Sequence, residues 1–252
     1  MKSNVTVIVP AWNAQNWILD SIMSTLQSLD QADQIIVIND ASEDRTLEIL
    51  QEIKDPRLLI YTNSVNLGVA RSLNIGIQNT ETKYLARMDA DDICYPWRFE
   101  FQKSRMKKSE IIFGNGLYIN SSNTNTGLHN RKPIKKSTKY KKEFLQGNPL
   151  LHPTMFACTG LLKTFQYKES IAEDYELWMR MLINGIEIEE TFIPLIRYRK
   201  HSAQVTSNLK RSNYEKDEIL RNTFKEYNKK FGDVTFSEEL YLAACGVTGI
   251  QV

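Results

Sequence analysis

The sequence predicts an α/β protein built on a mostly parallel sheet with helices on both faces. Between Val5 and Met88, short runs rich in β-branched residues alternate with segments whose apolar residues recur at helical spacing. Such alternation is typical of strands joined by right-handed helical crossovers. A polar cluster follows each of these strands, and sheets of this kind bind ligands outside the carboxyl ends of their strands.

Four strands and three helices are predicted in the first part of the chain. The strands are residues 5–9, 34–38, 58–61 and 84–88. The helices are indicated by spaced apolar residues, namely Ile18, Ile22, Leu26 and Leu29, then Leu47, Leu50 and Ile53, and then residues 69–77. The first strand ends at Pro10, and polar residues follow each strand in turn at Asn13, Asp40, Asn66 and Asp89. One crevice is therefore expected to collect all four.

The second part of the chain is less regular. Strand character returns at residues 111–120 and 186–199, and helical spacing marks residues 172–182, 213–227 and 236–244. Residues 121–142 are polar, basic and poorly periodic, which predicts a long surface loop. No internal repeat is present, and no segment has the composition of an interdomain linker.

The composition excludes several classes of protein. Of 252 residues, 42% are hydrophobic and 25% are charged, as in ordinary globular proteins. The net charge of +2 is too balanced to indicate a nucleic-acid partner. The three cysteines lie far apart without C-x-x-C spacing, which favours reduced thiols over a disulfide framework or zinc site. With no leader and no apolar run of membrane length, we expect a cytoplasmic protein whose membrane contact, if any, is peripheral.

Three carboxylates stand directly after the fourth predicted strand, at Asp89, Asp91 and Asp92. Burying adjacent carboxylates at the mouth of a sheet costs on the order of several kcal/mol each unless a cation or hydrogen bonds compensate. A divalent magnesium or manganese ion is the simplest compensation, because both prefer oxygen ligands. The alternative is that these residues cap the following helix, since Asp is favoured in first turns.

Six short blocks occur in a fixed order along residues 4–205. They read VIVPAWN from Val7, VINDASEDRT from Val37, NLGVARSLNIGI from Asn66, ARMDADD from Ala86, EDYELW from Glu173 and YRKH from Tyr198. In this order they resemble the signature blocks of family 2 glycosyltransferases of the GT-A fold, in particular bacterial enzymes that extend lipopolysaccharide, O-antigen or capsule chains. The resemblance implies a GT-A domain over residues 1–205, with a nucleotide-sugar half (1–110) and an acceptor half (111–205). Residues 206–252 would be a C-terminal extension of acceptor-side helices.

The resemblance also implies how a UDP-sugar is bound. Asp40 matches the acid that recognises uracil, which suits a carboxylate accepting a base N–H. Its neighbour Asn39 stands where many members have a first Asp, so this chain departs from the family pattern there. The other residues that the resemblance assigns to nucleotide-sugar binding are Pro10, Ala11, Asn13, Asn66, Arg71, Asp89 and Ala90.

Metal and catalytic residues follow from the same resemblance. Asp91 and His201 match ligands of a Mn²⁺ or Mg²⁺ cofactor, and Asp92 is left to cap the helix near Arg98. Asp174 matches the base of inverting members, which takes the acceptor hydroxyl proton as that oxygen attacks the sugar. Glu173 and His152 are expected to border the acceptor. Either Glu173 or Asp174 could instead be the N-cap of the helix that contains Trp178.

These assignments predict an inverting, metal-dependent hexosyltransferase. It would move a hexose or N-acetylhexosamine, with galactose or N-acetylglucosamine favoured, from a UDP-sugar to a lipid-linked oligosaccharide, and inversion of an α-linked donor gives a β product. The acceptor is expected to be linked to undecaprenyl diphosphate. A non-catalytic nucleotide-sugar-binding protein of the same fold remains the alternative.

Two other features bear on function. The first strand is followed by Pro10 to Asn13 without glycine, which disfavours pyrophosphorylases and Rossmann dehydrogenases because both need a glycine-rich phosphate loop there. The basic residues 131–142 suggest peripheral contact with an anionic membrane face where a lipid-linked acceptor is presented. A solvated charged loop explains that segment equally well.

Overall fold

The structure is a computed structural model that describes residues 5–106, 109–128, 142–202, 204, 210–232 and 235–247. The strands within these ranges are β1 (Val5–Ala11), β2 (Gln34–Asn39), β3 (Leu58–Thr62), β4 (Tyr84–Arg87), β5 (Ile93–Cys94), β6 (Ile111–Ile119), β7 (Asn125–Leu128), β8 (Phe156–Cys158) and β9 (Ile188–Arg199). The helices are α1 (Ile18–Ser28), α2 (Thr46–Glu52), α3 (Val69–Gln78), α4 (Arg98–Arg105), α5 (Thr159–Thr164), α6 (Glu173–Ile183), α7 (Arg211–Lys216), α8 (Glu218–Phe231) and α9 (Glu238–Ala244). Single 3₁₀ turns occupy Phe144–Gln146 and His152–Thr154.

All of these strands pair in one sheet in the order β3-β2-β1-β4-β8-β6-β9-β5, with β7 beside β6. The first four run parallel, as predicted, and are joined by helical crossovers. The second half is mixed, because β8 is antiparallel to both β4 and β6, whereas β9 runs parallel to β6. The predicted α/β class is confirmed, and the antiparallel strand β8 joins the two halves of the sheet.

The central strands are buried on both faces, which explains their continuous apolar runs. Successive side chains of a strand point to opposite faces, so each strand feeds two hydrophobic clusters. One cluster contains Val7, Val9, Ile35 and Val37, together with α1 residues such as Ile18 and Ile22. The other contains Ile8, Ile36 and Ile38 and extends through α3 and α6 to α8 and α9. The C-terminal helices therefore share a core with the second face of the sheet.

Two predicted elements were wrong in detail. Residues 125–128 of the predicted loop form strand β7, a short pairing that the glycine and polar composition concealed. The helix predicted over residues 213–227 is two helices separated at Asp217, whose carboxylate caps α8 by accepting from the Leu220 N–H at 2.9 Å.

Most of the basic segment 131–142 lies outside the described residues, so its membrane contact stays a prediction. Within the described part of the chain, no helix has the length and apolarity needed to cross a membrane.

A close approach between β6 and β9 occurs at Gly114. A Cβ there would lie 2.2 Å from the Cδ1 atom of the fully buried Leu195. We expect Gly114→Ala to lower the free energy of unfolding by about 1–3 kcal/mol through overpacking. Gly160→Ala is the matched control, because nothing lies within 4 Å of its added carbon. Urea denaturation of both variants checks this, and equal midpoints would contradict it.

Candidate active site

The carboxyl ends of β1, β2 and β4 lie side by side because these strands pair in parallel. The loop after β1 is tied to the loop after β2 through Asn13. Its Oδ1 accepts from the Glu43 N–H at 2.9 Å, and its own N–H donates to Ser42 Oγ at 3.1 Å. Asn13 has a φ of 48°, a left-handed conformation that Asn adopts more readily than most residues. These hydrogen bonds hold the loop after β1 and the loop after β2 together at this edge of the sheet.

Asp40 fixes the turn that leads into α3. Its carboxylate accepts from the backbone N–H groups of Leu67 at 2.9 Å and Gly68 at 2.8 Å and from Asn63 Nδ2 at 2.7 Å. The Asp40 N–H donates to the carbonyl of Ala11 at 2.8 Å. This anchoring role was missed by sequence reasoning, and recognition of uracil by Asp40 stays a prediction.

The remaining residues predicted to bind the nucleotide-sugar also lie at or near this edge. Pro10 pairs with Ile38 at the end of β1, and Asn66 Oδ1 accepts from the Gly68 N–H at 3.2 Å. Arg71, in the first turns of α3, forms a half-exposed ion pair with Glu169 at 2.8 Å. Any contact between Arg71 and a nucleotide would therefore compete with Glu169.

Asp89 follows β4 and is paired with the buried Arg87 at 2.6 Å. Its carbonyl accepts from Ser21 Oγ of α1 at 2.7 Å, which holds the segment that continues to Ala90. Burial raises the pKa of Asp89 to about 6, against the opposing charge of Arg87. Arg87 is a charged residue inside an otherwise apolar strand, and this irregularity was the signal by which it could have been found.

Asp91 and His201 are brought together from positions 110 residues apart. His201 Nε2 lies 2.8 Å from Asp91 Oδ2, and the imidazole stacks on Trp17 with ring centroids 4.0 Å apart. Among the described residues, no hydrogen-bond partner reaches the buried Nδ1 atom of His201. The fold therefore brings the two predicted metal ligands together, and metal binding by them stays a prediction.

Asp92 does not cap a helix, so that prediction was wrong. The N-cap residue of α4 is Trp97, and no side chain caps it. The carboxylate of Asp92 is fully buried and accepts from the Arg199 backbone N–H at 2.8 Å. The Arg199 guanidinium in turn donates to the carbonyl of Asp91 at 2.6 Å. Asp92 therefore ties the acid segment to the end of β9, two residues before His201.

The acid segment fits a divalent cation. Asp89, Asp91 and Asp92 each offer a carboxylate oxygen, and these oxygens lie within 4.8 Å of one another. The second carboxylate oxygen of Asp92 is buried, and no partner reaches it among the described residues. Concentrated oxygen donors with one imidazole suit magnesium or manganese. His201 Nε2 lies 2.8 Å from Asp91 Oδ2, beside this group, and the roles of Asp91 and His201 as metal ligands stay a prediction.

A second group joins His152, Glu173 and Asp174. His152 Nδ1 lies 3.8 Å from Glu173 Oε1 and 3.7 Å from Asp174 Oδ2, and its Nε2 is 2.7 Å from the Tyr167 hydroxyl. Both acids lie in the first turn of α6, whose N-cap residue is Ala172, so the N-cap alternative was wrong. Burial lowers the pKa of His152 well below its ordinary value. The imidazole is therefore neutral beside the two acids.

Burial also shifts the two acids of this group. It raises the pKa of Glu173 to about 8, with a further contribution from the neighbouring Asp174. It raises the pKa of Asp174 as well, but hydrogen bonds from the Tyr175 N–H and Asn148 and the charge of Arg87 oppose the shift. Arg87 is thus the cation common to Asp89 and to this pair. Near neutral pH, Glu173 therefore holds a proton.

The raised pKa of Glu173 predicts a pH-dependent stability. Between its ordinary value of 4.5 and about 8, the folded protein keeps a proton that the unfolded chain has lost. The free energy of unfolding therefore falls as pH rises through this window. Gln mimics the protonated acid, so the free energy of unfolding of Glu173→Gln should rise relative to that of the wild type by about 3–4 kcal/mol between pH 5 and pH 8. Urea denaturation at the two pH values checks this, and a constant difference would contradict it.

The family is decided by comparison with known proteins. The sequence model described as Glycosyl transferase family 2 matches residues 6–165. A Haemophilus influenzae protein named as an uncharacterized glycosyltransferase is 32% identical over 253 residues, covering 90% of this chain and 75% of that protein. This chain belongs to glycosyl transferase family 2. The predicted family is confirmed, and the protein is a glycosyltransferase.

More distant relatives agree with this assignment. The Escherichia coli UDP-Glc:alpha-D-GlcNAc-diphosphoundecaprenol beta-1,3-glucosyltransferase WfaP is 26% identical over 205 residues, covering 81% of this chain and 80% of WfaP. The crystal structure of S. aureus TarS 1–349 in complex with UDP-GlcNAc has a TM-score of 0.72 at 17% identity, covering 94% of this chain and 70% of that chain. The latter likeness supports the GT-A fold.

Proposed function

We propose that this glycosyltransferase is inverting and metal-dependent. It transfers a hexose or N-acetylhexosamine from a UDP-sugar to a hydroxyl of a lipid-linked oligosaccharide during bacterial surface polysaccharide synthesis, and the new linkage is β. The observation that carries the proposal is the pair of acid groups joined by Arg87. One group has the donors for a cation, and the other holds a proton acceptor.

The first group supports binding of the donor diphosphate. A cation held by Asp91 and His201 would neutralise the diphosphate and stabilise the charge of the departing UDP. Asp89, Ala90 and the β1 loop would contact the ribose and sugar. The loops fixed by Asn13 and Asp40 would receive the base, since both lie at neighbouring strand ends.

The second group supports the attack by the acceptor. Asp174 accepts the proton of the acceptor hydroxyl while the hydroxyl oxygen forms a bond to the anomeric carbon and the bond between that carbon and UDP breaks. One such displacement inverts the anomeric configuration. A base of this kind contributes about 10²–10⁴-fold to the rate. Glu173 and His152 border the acceptor, and Glu173 in its protonated form can donate a hydrogen bond to it.

The proposal of a lipid-linked acceptor rests on similarity to proteins whose names state their substrates. WfaP by its name acts on a GlcNAc-diphosphoundecaprenol acceptor and uses UDP-Glc, whereas TarS was crystallised with UDP-GlcNAc. Galactose and N-acetylglucosamine remain the favoured sugars for this chain, with glucose as the third candidate. A lipid acceptor would suit a protein held at an anionic membrane face by residues 131–142, and salt-sensitive sedimentation with anionic liposomes tests that contact.

The direct test is a donor screen. Purified protein is incubated with UDP-Glc, UDP-Gal or UDP-GlcNAc and GlcNAc-diphosphoundecaprenol, with Mn²⁺ or with EDTA, and UDP release and the product are measured. We expect one sugar to be transferred with Mn²⁺ present, and a β linkage in the product by NMR. Transfer undiminished by EDTA, or an α linkage, would contradict the proposal. Binding of UDP-sugar without transfer to GlcNAc-diphosphoundecaprenol would favour the non-catalytic alternative.

A further inference from the structure

We infer that Asn148 is a positioning residue that sets the orientation of the Asp174 carboxylate; the inference rests on the proposed role of Asp174 as base. Asn148 Nδ2 donates to Asp174 Oδ2 at 2.7 Å, and Asp174 Oδ1 accepts from the Tyr175 N–H at 2.7 Å. Both carboxylate oxygens are therefore held. A carboxylate held at both oxygens cannot rotate freely about its Cβ–Cγ bond, and its remaining lone pairs keep a fixed direction.

Asn148 is itself fixed before any substrate arrives. Its Oδ1 accepts from the Leu150 N–H at 3.1 Å, so the amide cannot turn over without losing a second hydrogen bond. The preceding 3₁₀ turn is tied to α6, because the Tyr175 hydroxyl donates to the carbonyl of the fully buried Phe144. The loop that presents Asn148 is thus anchored to the helix that carries Asp174. This is the preorganised support that a precisely placed base requires.

The alternative roles of Asn148 are separable. Its oxygen holds the local loop through Leu150, whereas its nitrogen holds Asp174. Asn148→Asp keeps an oxygen acceptor for the Leu150 N–H, removes the N–H donor and adds a charge. Asn148→Ala removes both acceptor and donor and adds no charge. Loop holding alone predicts that only the Ala variant is impaired, and charge repulsion alone predicts that only the Asp variant is impaired.

Positioning of Asp174 predicts that both variants lose activity in the same way. Misplacement of a reacting group by about 1 Å can cost about 10²-fold in rate. We expect kcat to fall about 10–100-fold in both variants, with the KM for the UDP-sugar within about twofold of the wild type. Asn184→Asp is the matched control, because Asn184 Nδ2 makes its hydrogen bond to Arg180 at the opposite, exposed end of the same helix. It should keep the wild-type kcat.

Crystal structures of the wild type and of Asn148→Ala make the test independent of turnover. We expect the Asp174 carboxylate to leave its position in the variant while the backbone of α6 stays in place. An unchanged Asp174 carboxylate in the variant, or a wild-type kcat in either Asn148 variant, would overturn the inference. If the wild type transfers no sugar, the proposed function fails, and the two crystal structures still decide whether Asn148 holds Asp174.

Discussion

Asp174→Asn is expected to lower kcat by about 10²–10⁴-fold while UDP-sugar binding stays within about twofold of the wild type. The amide has the shape of the carboxylate but cannot accept the proton of the acceptor hydroxyl. Donor binding is assigned to the other acid group, across Arg87, and that group is untouched by the substitution. Steady-state kinetics give kcat, and calorimetry with UDP gives the binding constant.

The control for this variant is Asp30→Asn. Asp30 lies at the opposite end of β2 from the acid groups, is exposed and pairs with Lys103 at 2.5 Å. Its loss should leave kcat unchanged. A near-wild-type rate in Asp174→Asn would show that another group takes the proton, and Glu173 would be the first candidate. If Asp174→Asn lost UDP binding as strongly as it lost kcat, Asp174 would take part in donor binding as well as in proton transfer.

Arg98→Leu is expected to lower the free energy of unfolding by about 2–4 kcal/mol. Arg98 is fully buried, and its guanidinium donates to the carbonyls of Arg87 at 2.6 Å and Pro153 at 2.8 Å and to Gln102 Oε1 at 3.1 Å. Leucine would leave these acceptors buried without a donor. Removal of a desolvated charge offsets part of this cost, because a buried cation is itself unfavourable.

Arg45→Leu is the matched control for Arg98→Leu. Arg45 pairs with Glu48 on the exposed surface of α2, and exposed ion pairs contribute little to stability. The same Arg→Leu substitution is thus made at a buried site and at an exposed site. Urea denaturation should show a large loss of stability only for Arg98→Leu. Because Arg98 joins the end of β4 to the 152–154 turn, its loss should also lower activity. Equal stability of the two variants would contradict the structural role of Arg98.

The parallel half of the fold could be predicted because its signals are local. The strands β1 to β3 and their helices carry enough β-branched or spaced apolar residues to show a period. Strands β5 and β8 have only two and three residues, too few for any period to be seen. Their pairing depends on the distant strands β9, β4 and β6. Such contacts are set by tertiary packing and leave no local pattern.

The residues of the candidate site also differ in whether they could be predicted from the sequence. The polar residues that follow the strands could be found from their position, and the resemblance supplied their expected roles. The groups that hold them could not be found this way. Asn148 and Arg199 act on partners that are distant in sequence, and Arg87, although visible as a charge in an apolar strand, meets Glu173 and Asp174 only in the folded protein. Asp92 was misjudged because an Asp shortly before a predicted helix is often a cap, whereas here β9 brings a backbone N–H to its carboxylate.

The central claim is that the acid segment after β4 binds the donor diphosphate through a divalent cation. Calorimetric titration of UDP into the wild type and into Asp91→Ala, each with Mn²⁺ and with EDTA, tests it most directly. We expect tight UDP binding by the wild type only with Mn²⁺, and loss of that Mn²⁺-dependent gain in Asp91→Ala. UDP binding by the wild type that is equally strong in EDTA, or a gain from Mn²⁺ that survives in Asp91→Ala, would contradict the account.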